Sequence, residues 1–175
     1  MKKSMFSMTL IFLAGLLLSG AAYHFTQNQI LYAIAITFGT IFYHFAMRLA
    51  VGYIVDAKFH NKMDYTKTWF QEKGFERNFY KKIKIKKWKK RVPTFNPEEF
   101  SLSGNSIEDI IQVTCQAEIV HEIIMVLSFV PVAFSPWFGS FGVFLTTSCG
   151  AFLVDSVFVL LQRYNRPRLM RLLKK

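Results

Sequence analysis

Four long apolar runs are separated by polar stretches along this chain. They cover about residues 6–23, 30–55, 118–136 and 141–161. Each approaches the ~20 residues that a helix needs to cross a hydrocarbon core of ~30 Å. The pattern predicts an all-α polytopic membrane protein with four transmembrane helices, organised as a single membrane domain over 1–175. Ser106-Ile107-Glu108-Asp109 reads as an N-cap and capping box. The third helix is therefore expected to begin as an amphipathic turn or two and to enter the membrane near Glu118. Pro131 and Pro136 fall near its far end.

Basic residues set the expected orientation. Lys2 and Lys3 precede the first run, and Arg163, Arg166, Arg168, Arg171, Lys174 and Lys175 follow the fourth. Between Asp56 and Phe100 there are thirteen Lys or Arg against six Asp or Glu. The connections 24–29 and 135–140 carry no Lys or Arg. The positive-inside rule then predicts both termini and the long middle stretch in the cytoplasm. This alternation is what four spans require.

The stretch 56–105 is too long for a structureless loop in so small a protein. Its aromatics, Trp69, Phe70, Phe75, Phe79, Tyr80 and Trp88, are interleaved with lysines. Such a mixture suits a cytoplasmic interfacial segment, over 56–117, with rings at headgroup depth and cations facing anionic phospholipid. Lys82-Ile83-Lys84-Ile85-Lys86 alternates with a strand-like period, so a continuous helix is not expected there.

Composition supports a lipid-facing chain. It is 52% hydrophobic and 17% aromatic, with a formal net charge of +11. The basic residues lie beside apolar runs, which favours lipid headgroups over nucleic acid. Cys115 and Cys149 have no metal-ligand spacing and read as small core residues. The first 23 residues have some features of a secretory signal but read better as an uncleaved first membrane helix.

Ionisable groups in hydrocarbon are costly and are usually paired or functional. His44 and Arg48 are four apart and share a helical face. Glu118, His121 and Glu122 begin the third span, and Asp155 lies in the fourth. On the four-span topology these groups and Tyr164–Arg168 all approach the cytoplasmic leaflet. That asymmetry suits a cytosol-facing interfacial site. Asp155 either pairs with Arg48 between helices or joins that site, and Glu122 reads as a snorkelling surface acid. Glu118 and His121 form the best catalytic pair, since a carboxylate can hold an imidazole as general base. His121-Glu-Ile-Ile-Met125 lacks the second histidine of a zincin, and no GxSxG, GxGxxG or P-loop occurs. No bound metal or cofactor is expected.

Three stretches together point to a family. "AEIVHEI" (117–123), "QRYNRPRL" (162–169) and "KGFERNFYKKIKIKKWKKRVP" (73–93) resemble the glycosyl-4,4′-diaponeurosporenoate acyltransferase of staphylococcal carotenoid synthesis. The resemblance covers about residues 55–170 and is weakest over the first two spans. It implies transfer of a fatty-acyl group to a sugar hydroxyl of a membrane glycolipid, completing staphyloxanthin, in a bacterial cell membrane. Glu118 and His121 fall on the family's AExxH, and Tyr164, Asn165, Arg166 and Arg168 on its terminal motif.

The expected chemistry has a cytosolic thioester donor, acyl-CoA or an acyl-carrier thioester, and a hydroxyl acceptor on a membrane lipid. Donor phosphates would meet Lys81–Arg91 or the arginines 166 and 168, whose forks bind phosphate in bidentate fashion. His121, oriented by Glu118, would take the acceptor's proton, and Asn165 or an arginine would donate to the developing oxyanion. Tyr164, Asn165, Arg166, Arg168, Arg48, His44 and Asp155 are the expected substrate-binding residues. Pro167 is expected to end or bend the last helix. Two alternatives keep the architecture: a small membrane methyltransferase or reductase, or a non-enzymatic lipid-binding protein.

Overall fold

The computed structural model describes residues 2–94 and 96–174. Lys175, counted above among the basic residues of the tail, lies outside them. The described residues form helices and no strands. The helices are α1 (Lys2–Thr26), α2 (Gln29–Phe59), α3 (Glu76–Lys82), α4 (Ile85–Trp88), α5 (Ile107–Leu127), α6 (Val130–Ala133), α7 (Ser135–Phe138) and α8 (Phe141–Leu173). Short 3₁₀ turns occupy Thr68–Phe70, Lys89–Arg91 and Pro97–Phe100. Four segments are long and apolar enough to span a bilayer: Lys3–Thr26, Gln29–Phe59, Ile107–Phe138 and Phe141–Leu173. The chain divides into two compact units.

The apolar unit comprises Lys2–Tyr53 with Ile123–Asp155. Here α1 and α2 pack through aromatic rings. Phe12 lies 6.2 Å from Phe38 and 5.5 Å from Phe45 between centroids. Gly15 allows this approach, because a Cβ there would come within 2.8 Å of the Phe38 ring. The prolines anticipated near the end of the third span break it into α5, α6 and α7. Pro131 has no N–H to give the carbonyl of Leu127, four residues back. The Tyr43 hydroxyl donates to that carbonyl instead, at 2.8 Å. The Tyr32 hydroxyl serves the carbonyl of Phe138, at the end of α7, at 3.1 Å. Two phenols thus satisfy backbone groups that hydrocarbon would leave unpaired. Cys149 is exposed, not a core residue. It shares an outward face of α8 with Phe152 and Leu153, where a small apolar side chain needs no protein neighbour if lipid covers it.

Arg48 and Asp155 pair in this unit, as one sequence reading anticipates. A second nitrogen of the same guanidinium donates to the His44 carbonyl at 3.1 Å. Asp155 is 1% exposed. Removing one charge of such a pair costs about 3–5 kcal/mol, because the other stays buried without its counter-ion. Asp155→Leu should therefore lower thermal stability in detergent strongly. Adding Arg48→Met should restore much of the loss. Equal stability of wild type and Asp155→Leu would contradict this role.

The basic unit comprises Ile54–Glu122 with Ser156–Lys175. The capping box forms as expected: the Asp109 amide donates to Ser106 Oγ at 3.1 Å, and the Ser106 amide to Asp109 Oδ2 at 2.9 Å. The segment 82–86 is not a strand. Lys84 adopts a left-handed backbone (φ 52°, ψ 40°) and separates α3 from α4. That break lets Ile85 turn inward, where it is 1% exposed beside Tyr80, Leu161 and Tyr164. Burying this apolar side chain, worth roughly 1.5–3 kcal/mol, outweighs the local backbone strain of about 1–3 kcal/mol only with its neighbours' help. The aromatics of this stretch also divide. Phe70 and Tyr80 are core residues, whereas Trp69, Phe75 and Phe79 are exposed.

Pro167 does not end the last helix, since α8 continues to Leu173. A proline inside a helix costs about 3 kcal/mol through its missing N–H and its clash with the carbonyl four residues earlier. Buried residues of the turn before it hold the helical path: Tyr164 and Arg166 are each fixed in the core of this unit. Pro167→Ala should therefore raise stability by up to about 3 kcal/mol. A fall in the unfolding midpoint would show that the proline shapes the backbone in some other way.

Candidate active site

Two arginines on α8, three residues apart, organise the basic unit. Arg166 is fully buried. Its Nε donates to Thr114 Oγ1 at 3.0 Å and Nη1 to the Phe70 carbonyl at 3.1 Å. Its Nη2 donates to the Thr114 carbonyl at 3.0 Å and to Glu118 Oε2 at 2.5 Å. Arg163 takes the other Glu118 oxygen through Nη1 at 2.6 Å and reaches Glu76 through Nη2 at 2.6 Å. It also donates to the carbonyls of Trp69 and Gln71, at 2.9 and 3.2 Å. Three successive carbonyls, 69–71, are thereby tied to α8. The cluster holds two guanidiniums and two carboxylates, so its formal charge balances. Balance is needed, because an unpaired charge at such depth is severely penalised.

Arg166 was expected in a substrate-binding wall, and its guanidinium faces protein partners. Arg168 is the guanidinium of the same motif that is exposed. Its Cζ lies 3.5 Å from the centroid of the Tyr164 ring, and its Nη1 donates to the Tyr164 carbonyl. Lys89 covers Tyr164 as well, at 5.1 Å, and donates to Asn165 Oδ1 at 3.0 Å. Burial, and then the neighbouring Arg168 charge, hold the Lys89 ammonium below its ordinary pKa. Tyr164 packs edge-on to Tyr80, with centroids 5.5 Å apart. The Tyr80 hydroxyl donates to Glu76 at 2.9 Å. Burial first, then that carboxylate, raises the Tyr80 pKa, so the phenol stays protonated.

Glu118 and His121 are one turn apart on α5. Glu118 is fully buried, and each of its oxygens accepts from a guanidinium. The His121 ring is partly exposed and stacks on Phe158, 4.6 Å between centroids and 8° between planes. Glu122 is half-buried, not a free surface acid. It accepts from Trp69 Nε1 at 3.1 Å. Among the described residues, no cluster has the His, Cys and carboxylate set of a metal site. In the apolar unit, His44 is buried and both its ring nitrogens lack a hydrogen-bond partner.

Two concavities of the basic unit adjoin these residues. One, of about 710 Å³, is lined by α3, α4 and the end of α8. The other, of about 310 Å³, includes Thr114, Asn165 and Arg168. Arg168 lines both. Sequence reasoning missed Arg163, Glu76 and Thr114, and it included Lys89 only as one of the phosphate-facing cations of Lys81–Arg91. Arg163 had a usable signal, since it sits one turn before Arg166 on the same face of α8. Glu76 had none, lying 87 residues from its partner.

A family model described as CrtO, glycosyl-4,4′-diaponeurosporenoate acyltransferase, matches residues 66–175. The chain belongs to this family. It is a membrane acyltransferase of carotenoid biosynthesis. No curated protein and no solved structure matches the chain. The matched region contains the three stretches that carried the sequence resemblance. It also contains every member of the Arg163–Arg166–Glu118–Glu76 cluster.

Proposed function

We propose that this acyltransferase moves a fatty-acyl group from a cytosolic thioester donor to a sugar hydroxyl of a membrane glycolipid, a glycosylated carotenoid. The observation that carries the reading is the union of the family's separate motifs in one unit. Glu118 of the AExxH stretch meets Arg166 of the terminal motif, 48 residues away, and Lys89 of the basic block meets Asn165. Such a union supports a common site rather than three independent lipid anchors.

In this reading His121 is the general base. Its Nδ1 or Nε2 takes the proton of the acceptor hydroxyl as the oxygen attacks the thioester carbonyl. The tetrahedral oxyanion collapses to the ester as the C–S bond breaks, and the leaving sulfur takes back from His121 the proton it had removed, which frees the thiol and the neutral imidazole. Phe158 holds the imidazole plane. Glu118 acts as a positioning residue: it fixes α5 against α8 through the two arginines and so sets where His121 stands. Asn165 and Arg168 supply donors to the oxyanion or to the substrate's phosphates. His44, in the apolar unit, meets a lipid hydroxyl, while Arg48 and Asp155 hold each other as a structural pair. The buried, unpartnered ring of His44 supports contact with a hydroxyl there. The basic stretch, with Trp69, Phe75 and Phe79 exposed, lies at the cytoplasmic membrane surface on anionic lipid, and both termini are cytoplasmic in a bacterial cell membrane.

The test is an assay of the purified chain in lipid nanodiscs with a glycosylated carotenoid and an isotopically labelled acyl thioester. Labelled ester should form with the intact chain. Transfer of label to no hydroxyl-bearing lipid would defeat the reading.

A further inference from the structure

The larger concavity is strongly polarised. Of its twelve lining residues, seven are Lys or Arg and one, Glu72, is acidic. Its inner wall is formed by the buried Tyr80, Ile85 and Tyr164, and cations rim it. Lys84, Lys86 and Lys87 come from α4 and its left-handed N-terminal residue. Arg168 and Arg171 come from the end of α8. The cation cluster is therefore assembled from segments more than 70 residues apart and is not a single solvated run. At about 710 Å³ the space lies in the range of small-molecule sites, about 300–1,000 Å³. Arg168 is held against Tyr164, so part of the rim is already ordered.

We infer that this cavity binds the nucleotide end of a coenzyme A thioester through its phosphates, and thereby selects CoA over a carrier protein as acyl donor. The inference rests on the acyltransfer reading above and deepens it. The ligand chemistry is phosphate, which a lipid headgroup also offers. Two features favour the nucleotide. Coenzyme A brings a diphosphate and a 3′-phosphate, about four negative charges in all, to seven cations. A carrier's prosthetic arm and a typical phospholipid each bring one phosphodiester. The cations also surround a concavity, whereas a flat anionic surface is met by a convex or planar face. Lys84 is the most informative position. Its backbone, at φ 52°, suits glycine better than lysine. Lys84→Gly thus removes a charge without imposing strain.

The experiment titrates the full chain, in nanodiscs of phosphatidylcholine, with coenzyme A, with dephospho-coenzyme A and with 4′-phosphopantetheine. The same titrations are made on Lys84→Gly/Lys87→Gln. Coenzyme A should bind saturably, and loss of its 3′-phosphate should weaken binding several-fold. The double variant should bind about tenfold or more weakly, as expected for losing charge-assisted hydrogen bonds, with its unfolding midpoint unchanged. Equal affinity for coenzyme A and 4′-phosphopantetheine in the wild type would overturn the inference, and it needs no variant to fold. Unchanged coenzyme A affinity in a folded double variant would overturn it too. So would a variant that loses only its binding to phosphatidylglycerol vesicles, which would make the cavity a headgroup site. Ester formation from an acyl-carrier donor without coenzyme A binding would overturn this inference and leave the proposed function standing. Coenzyme A binding with no ester from any donor would keep the site and remove the proposed transfer.

Discussion

Arg166→Met should destabilise the basic unit by about 3–5 kcal/mol. Arg166 and Glu118 are both fully buried, and their ion pair is one part of a four-charge cluster. Losing the guanidinium leaves Glu118 with Arg163 alone and takes the Arg166 donors away from the Phe70 carbonyl and both Thr114 oxygens. Breaking a buried pair carries a penalty of this size because the surviving charge stays desolvated. Arg166→Lys should rescue little, since a single ammonium cannot span donors spread across a planar fork. Pairing Arg166→Met with Glu118→Leu should cost less than the sum of the two changes, because the members of one network are not additive. Chemical unfolding in detergent measures all three. A loss below about 1 kcal/mol in Arg166→Met would show that the cluster does not hold the unit together.

His121→Gln has the opposite profile. The ring is partly exposed and stacked on Phe158, so its removal takes little from the core. A general base contributes about 10²–10⁴-fold to rate. The variant should lose that factor in kcat, with KM for the donor and the unfolding midpoint close to wild type. Phe158→Ala should show a smaller fall in kcat, since an aromatic stack is worth about 0.5–1.5 kcal/mol. A variant at His121 that retains full transfer would remove this imidazole from the chemistry and turn attention to His44.

How much of this was legible beforehand differs by residue. The four apolar runs and the Ser106–Asp109 cap were readable because length and local hydrogen bonding decide them. The break at Lys84 was partly readable: the alternation of 82–86 was real, but the tertiary burial of Ile85 converts it into a left-handed kink and not a strand. Pro167 carries a local preference for ending a helix, and the packing of Tyr164 and Arg166 overrides it. Tyr43 and Tyr32 gave no sign that they would serve the carbonyls of Leu127 and Phe138, since those partners lie 84 and 106 residues away. The site shows the same division. The motif positions stand out in the sequence, which gives no sign that Arg166 turns inward while Arg168 stays open.

The most direct test of the acyltransfer account is lipid mass spectrometry of membranes from cells that make the glycosylated carotenoid. Three cases are compared: no protein, the intact chain, and His121→Gln present at equal level. The account predicts a carotenoid glycoside heavier by one fatty-acyl group only with the intact chain. An identical lipid profile in all three, or the acylated species persisting with His121→Gln, would contradict it.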